Sequence, residues 1–328
     1  MTLKQPPARL YAGLGIALLI LFVASLFVGR VWAPLSAFVD RGDPRWPIIF
    51  DLRLPRTILG MAVGAALGAS GAVMQGYTRN PLAAPDILGV SSLAALGAVI
   101  TLYFSMGEAS FWALPIGAMI GAVAGVLLLL LLAGAASSIV TFILAGAILQ
   151  IIASAGVSLA LSLAPNPWAV SEIINWLLGS LADRSIDEVR FAVPFISLGL
   201  VLMLTLTRPL DALTLGDVGA RSLGVDLNRA RLMLALGVGL AVGASTAVTG
   251  MIGFVGLMTP HLLRPFVGSR PGALILPSAI GGAVIVLAAD IVVRLIPAAA
   301  EVKLGVAMAA IGGPFFLALL IRLRRRIA

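Results

Sequence analysis

The sequence predicts an all-α membrane protein, a polytopic bundle of about ten transmembrane helices. Of its 328 residues, 60% are hydrophobic and 11% charged, less than half the roughly 25% charge of soluble domains. Mean hydropathy is +1.11. Apolar runs alternate with short charged segments along the chain, which organises residues 1–328 as a single transmembrane domain.

A polar start with Lys4 and Arg9 precedes the first run, residues 11–31. That run is longer than the about 7–15 residues of a signal-peptide core, and many more runs follow, so it reads as a retained helix. Further crossings are expected at 57–75, 88–105, 111–133, 139–163, 191–207, 231–249, 250–266, 273–295 and 304–321. The stretch from Arg231 to Arg264 is too long for one crossing and short for two helices. A partly unwound second crossing around Thr249, Gly250, Gly253 and Gly256 fits it, because extended backbone covers more distance per residue and is tolerated at membrane depth when buried in protein.

An even number of crossings returns both termini to one side, and the tail Arg322, Arg324, Arg325 and Arg326 makes that side the cytoplasm. On this topology the inner segments carry 13 basic residues against 4 acidic ones, Asp86, Asp211, Asp217 and Asp226, while the outer segments hold 9 of each. The net charge of +8 thus follows from orientation in the bilayer and needs no nucleic acid. An internal echo, Leu67-Gly-Ala-Ser-Gly-Ala-Val73 against Val242-Gly-Ala-Ser-Thr-Ala-Val248, falls in oppositely directed crossings. It fits either an inverted transporter repeat or plain small-residue helix packing.

Much chemistry is excluded. There is no cysteine and one histidine, His261, so thiol chemistry and a multi-histidine metal site are unavailable within one chain. The only lysines, Lys4 and Lys303, lie in no glycine-rich phosphate loop, so ATP must be used by another chain. No nucleophile–base pair or cofactor fingerprint is present, and no catalytic residue, cofactor or metal is expected. Asp290 is the clearest intramembrane carboxylate. Arg294, four residues on, shares its helix face and forms the expected structural pair, with a proton-relay role for an ion-coupled secondary transporter as the alternative.

Several segments in order carry a resemblance. Leu52-Arg-Leu-Pro-Arg56, Gly68 to Gln75 leading into Arg79-Asn-Pro-Leu-Ala83, and Leu88-Gly-Val-Ser-Ser92 are followed by Leu215-Gly-Asp217 with Ala220-Arg-Ser-Leu-Gly224. Gly253-Phe-Val-Gly256, Pro260-His-Leu-Leu-Arg264 and Gly312-Gly-Pro-Phe-Phe316 complete the set. The ordered set resembles the FecCD-type permeases, membrane subunits of ABC importers for iron–siderophore complexes, haem and cobalamin. It departs from them at Glu301-Val-Lys-Leu-Gly305, where a proline is common, and at Val218-Gly219.

The resemblance implies the type II ABC importer permease fold, a homodimer in the bacterial inner membrane, two cytoplasmic ATPase subunits and a periplasmic binding protein. By the same resemblance Arg53, Arg56 and Arg294 receive acidic residues of the binding protein, a task suited to guanidinium groups, which grip carboxylates in a bidentate manner. The alternative is that they are interfacial anchors paired to Asp51 and Asp290. Leu215, Gly216, Asp217, Ala220, Arg221, Ser222, Leu223 and Gly224 fall in the segment that couples to the ATPases. Ser137, Ser138 and Thr141 correspond to the cytoplasmic gate, and are equally ordinary helix-start residues.

Overall fold

In the computed structural model each of the ten expected crossings coincides with an α-helix. The structure describes residues 8–29, 31–106, 110–134, 138–268, 270–297 and 300–327. The helices are α1 (Ala8–Phe27), α2 (Leu54–Thr78), α3 (Val90–Tyr103), α4 (Ala113–Ala133), α5 (Ile139–Ser162), α6 (Pro167–Leu177), α7 (Ile186–Leu204), α8 (Thr207–Leu213), α9 (Gly216–Ser222), α10 (Leu227–Thr249), α11 (Val255–Val267), α12 (Ile275–Leu295) and α13 (Leu304–Ile327). Three of these, α6, α8 and α9, are short helices outside the expected crossings.

Among the described residues six helices are long and apolar enough to cross a bilayer alone, or seven if the bent pair α7 and α8 counts as one span. Two of the shorter ones have a common cause. α3 and α11 have 14 and 13 residues, and each is preceded by non-helical backbone that enters the bundle. Before α3 comes the 3-10 turn Pro85–Leu88. Before α11 the chain unwinds at 250–254, where the expected break falls. Gly250, with φ 71°, meets the Trp176 carbonyl, a position that a side chain would fill. Its neighbours stay paired: Ser180 N donates to Thr249 O at 2.7 Å, and Gly305 N donates to Gly179 O at 3.1 Å.

α2 is the central helix, packed by α12, α11, α7 and α10. Without water to drive association inside a bilayer, close packing of small residues must supply it. Here glycine faces backbone directly: a Cβ on Gly68 would overlap the Ser278 carbonyl of α12, and one on Gly71 would overlap the Gly256 carbonyl of α11. The two echoed segments lie in α2 and α10, and each of these long buried helices is followed by a partly buried connection and a short helix.

The outermost helix is α1, whose residues, Ser25 apart, are exposed or half-buried in the single chain. After it, residues 31–53 fold over the end of the bundle, with Phe27, Phe38, Phe50 and Trp46 in mutual ring contact. Hydrogen bonds from Arg45 hold the Asp43 carboxyl down at about 2.

Candidate functional site

Charged side chains gather at the two ends of α2, which its 25 residues hold about 37 Å apart. The Arg53 end is the denser. Arg53 sits in the π-helical turn Ile48–Arg53 that runs into α2, and Arg56 lies in the first turn of α2, after Pro55. Asp290 and Arg294 come from the last two turns of α12. Arg56 donates to Asp290 from Nε at 3.0 Å and from Nη2 at 2.7 Å, and both of its terminal nitrogens also meet Glu301. Arg294 lies 3.0 Å from the second oxygen of Asp290.

Asp290 is wholly buried, and Arg53, Arg56 and Arg294 are each less than 10% exposed. A buried carboxylate flanked by two guanidinium groups is compensated. The remaining donors reach the end of α1: Arg53 Nη1 donates to the carbonyls of Leu26 and Phe27 at 2.9 Å, and Arg294 Nη1 donates to those of Ser25 and Val28 at 2.9 and 3.2 Å. Cations on the last carbonyls of a helix also oppose its dipole. Arg53, Arg56, Arg294, Glu301 and Asp183 together line a recess of about 300 Å³ at this end. Asp51 makes no ion pair among the described residues.

The opposite end is built on α8 and α9. Asp211 anchors α8, accepting from Arg270 Nε at 3.0 Å and Nη2 at 2.7 Å and from Gly272 N at 2.9 Å. Arg79, which closes α2 in the left-handed region at φ 53°, reaches Asp217 at 3.1 Å. Gly216 and Gly224, both with positive φ, bracket α9. Ala220 is buried against the bundle while Leu215, Val218 and Leu223 stand exposed. Arg221 and Ser222 are exposed beside them, and Ser222 Oγ donates to Val218 O at 3.0 Å. Three large apolar side chains on a polar loop mark a surface suited to a protein partner.

Elsewhere, Ser137 lies outside the described residues. Ser138 caps α5, accepting from Thr141 N at 3.1 Å, and both side chains are exposed in the single chain. The imidazole of His261 stands edge-on to Phe315 at 6.0 Å. No group of three metal-binding side chains occurs among the described residues.

Sequence reasoning missed α6 and the inward placement of Asp86. α6 carries its own signal, since Asn166 accepts from Ala169 N and Pro167 occupies the first turn. Asp86, counted with the inner segments, instead lines a small cavity beside Val63 and Leu67 at the middle of α2. The turn that carries it folds inward: Pro85 packs on Gly256 of α11, and Gly89 fits against Gly146 of α5.

Known proteins share this architecture along nearly the whole chain. The chain is 36% identical over 318 residues to the vitamin B12 import system permease protein of Citrobacter koseri, covering 97% of this chain and 95% of the relative. It is 37% identical to the Fe(3+) dicitrate transport system permease protein of Escherichia coli, covering 92% and 94%. With the hemin transport system permease protein of Yersinia pestis it shares 34% identity, covering 95% and 96%. Among solved structures, an inward-facing ABC transporter described as of the metal-chelate type superposes with a TM-score of 0.87 at 32% identity, covering 96% of this chain and 99% of that one. PsaBC of Streptococcus pneumoniae, at a TM-score of 0.57 and 18% identity over 87% of this chain and 95% of that one, shares the fold alone. The profile of the FecCD transport family matches residues 17–322, and the chain belongs to that family.

Proposed function

We propose that this chain, as a homodimer in the bacterial inner membrane with both termini cytoplasmic, carries an iron chelate (a siderophore complex or haem) or cobalamin from a periplasmic binding protein to the cytoplasm. It is the permease of an ABC importer, and ATP is hydrolysed on separate subunits. The observation that carries the cargo class is the near-full-length kinship with permeases named for vitamin B12, ferric dicitrate and hemin. All three are compact metal complexes too large for an ion channel. The ion-coupled secondary transporter does not hold, because the family is one of ABC permeases, and Asp290, the carboxylate it required, is committed to two arginines.

The partners follow the two ends of α2. Two ATPase subunits seat on α8 and α9, with Leu215, Val218 and Leu223 entering a groove of each and Gly216, Asp217, Ala220, Arg221, Ser222 and Gly224 shaping the segment. The binding protein docks at the opposite end. Since Arg53, Arg56 and Arg294 are recessed, an incoming carboxylate must enter the recess and compete with Glu301 for Arg56. The second copy covers the exposed apolar faces of α5 and α13, which include Ile148, Ile151, Ile311 and Leu317, and Ser138 and Thr141 narrow the cytoplasmic exit, with Ser137 by resemblance.

The test is reconstitution in proteoliposomes with the cognate ATPase and a binding protein loaded with labelled cobalamin, haem or ferric siderophore. Uptake of one of the three that needs all components and ATP is expected. Uptake by the chain alone on an ion gradient, or of none of the three by the full system, overturns the reading.

A further inference from the structure

At the end of α2 that carries α8 and α9, a recess of about 380 Å³ lies between α2, the end of α11 and the turn into α12. Arg79, Arg264 and Arg270 line it with Gln75 beside them, and among the described residues no carboxylate does. Arg270 is paired with Asp211, and Arg79 with Asp217. Arg264 is the surplus charge. Among the described residues it has no ion pair, and its one hydrogen bond runs from Nη2 to Gln75 Oε1 at 2.7 Å.

Gln75, 3% exposed, is itself held in place: its Nε2 reaches the carbonyls of Gly256 and Leu257 on α11 at 3.5 and 3.4 Å. The Gly256 carbonyl is open to it because Pro260, four residues on, has no N–H to offer. The amide oxygen of Gln75 then fixes Arg264 at the recess wall, and Nε and Nη1 of Arg264 have no partner among the described residues. A guanidinium group with donors left over suits an oxyanion. The apolar side of the recess leads toward lipid. Ala72 and Leu274 line it and also belong to the buried cluster on which Leu10 and Leu14 of α1 pack. Beyond those leucines α1 presents Ile16, Leu19 and Ile20, each more than half exposed. The exposed side chains of the coupling segment, Leu215, Val218 and Leu223, do not line the recess.

We propose that the recess binds a phosphate group carried by an anionic phospholipid, with Arg264 as its principal ligand, Arg79 and Arg270 adding attraction, and the acyl chains following the seam beside α1. Basic pockets between transmembrane helices bind head groups of this kind. The volume falls within the roughly 300–1,000 Å³ of small-molecule sites. One surplus guanidinium group favours a head group of net negative charge over a zwitterionic one. The site depends neither on the cargo nor on which leaflet the recess faces, since both leaflets present lipid phosphate.

Native mass spectrometry and equilibrium binding on the purified full chain with its ATPase subunits test the site, with phosphatidylglycerol, phosphatidylcholine of the same acyl chains and inorganic phosphate as probes. One phosphatidylglycerol per chain, retained in preference to phosphatidylcholine, is expected. Arg264→Gln should weaken its binding about tenfold and Arg79→Gln about threefold. Arg229→Gln, at an exposed position at the start of α10, should leave it unchanged. If Arg264→Gln does not fold, Arg264→Lys and Arg79→Gln carry the test, each with a loss of about threefold. Equal retention of the two lipids overturns the proposal, as does full binding in the Arg264 and Arg79 variants. Saturable binding of inorganic phosphate without any lipid preference overturns the lipid assignment. So does loss of ATPase co-purification in Arg264→Gln with lipid binding intact, which gives the recess to an acidic group of the ATPase.

Discussion

Arg56 on α2 grips Asp290 on α12 with two guanidinium nitrogens, joining residues 234 positions apart around a carboxylate with no exposed surface. Removing one partner of such a pair costs far more than the pair contributes, because the other charge is left buried. Asp290→Ala is expected to destabilise the chain by about 3–5 kcal/mol, read as a lowered unfolding midpoint in detergent. The triple variant Arg56→Met, Asp290→Leu, Arg294→Met should recover most of that loss.

Glu301, with its side chain 28% exposed, is the most accessible partner of Arg56. Glu301→Gln releases one competitor for that guanidinium group. Binding-protein affinity for the reconstituted permease should rise several-fold, with a stability cost of about 1 kcal/mol. Unchanged affinity would remove Arg56 from the docking site.

The coupling segment exposes apolar side chains that its own chain does not cover. Val218→Asp with Leu223→Asp should leave the permease folded and reduce co-purification of the ATPase subunits at least about tenfold. Asp211→Ala acts differently, because it frees Arg270 and the Gly272 amide together. Its expected signature is normal ATPase binding with uncoupled hydrolysis.

At the crossing of α2 and α11, Gly71→Val forces a side chain into the Gly256 carbonyl. Overpacking of this kind costs about 1–3 kcal/mol or more, and loss of the monodisperse peak in size-exclusion chromatography is expected. Gly13→Ala on α1 meets nothing within 4 Å and should leave the peak unchanged.

Hydropathy located every long helix, since apolar length is a local property, and the glycines at 250 and 253 located the break. Depth was the difficulty. The turn around Asp86 reads as an ordinary loop between two crossings, and only its packing on Gly256 and Gly146, far along the chain, draws it inward. The same holds for the arginines. Arg53 and Arg56 look like surface charges until the carbonyls of α1 and the carboxylate of Asp290 are brought to them. Other local signals were present and went unread: the box Ser185 to Glu188 that starts α7 and the Asn166-Pro167 start of α6 are both capping patterns.

The carbonyls at the end of α1 are held by Arg53 and Arg294, while of the helix's own residues Ser25 alone is fully buried. At its other end only Leu10 and Leu14 touch the cluster of Ala72, Leu263, Val267 and Leu274. α1 thus packs along α12, with its polar clamp at one end. A change in bilayer thickness that tilts α1 must therefore work against a fixed arginine clamp, and the recess that the clamp helps to form keeps its shape.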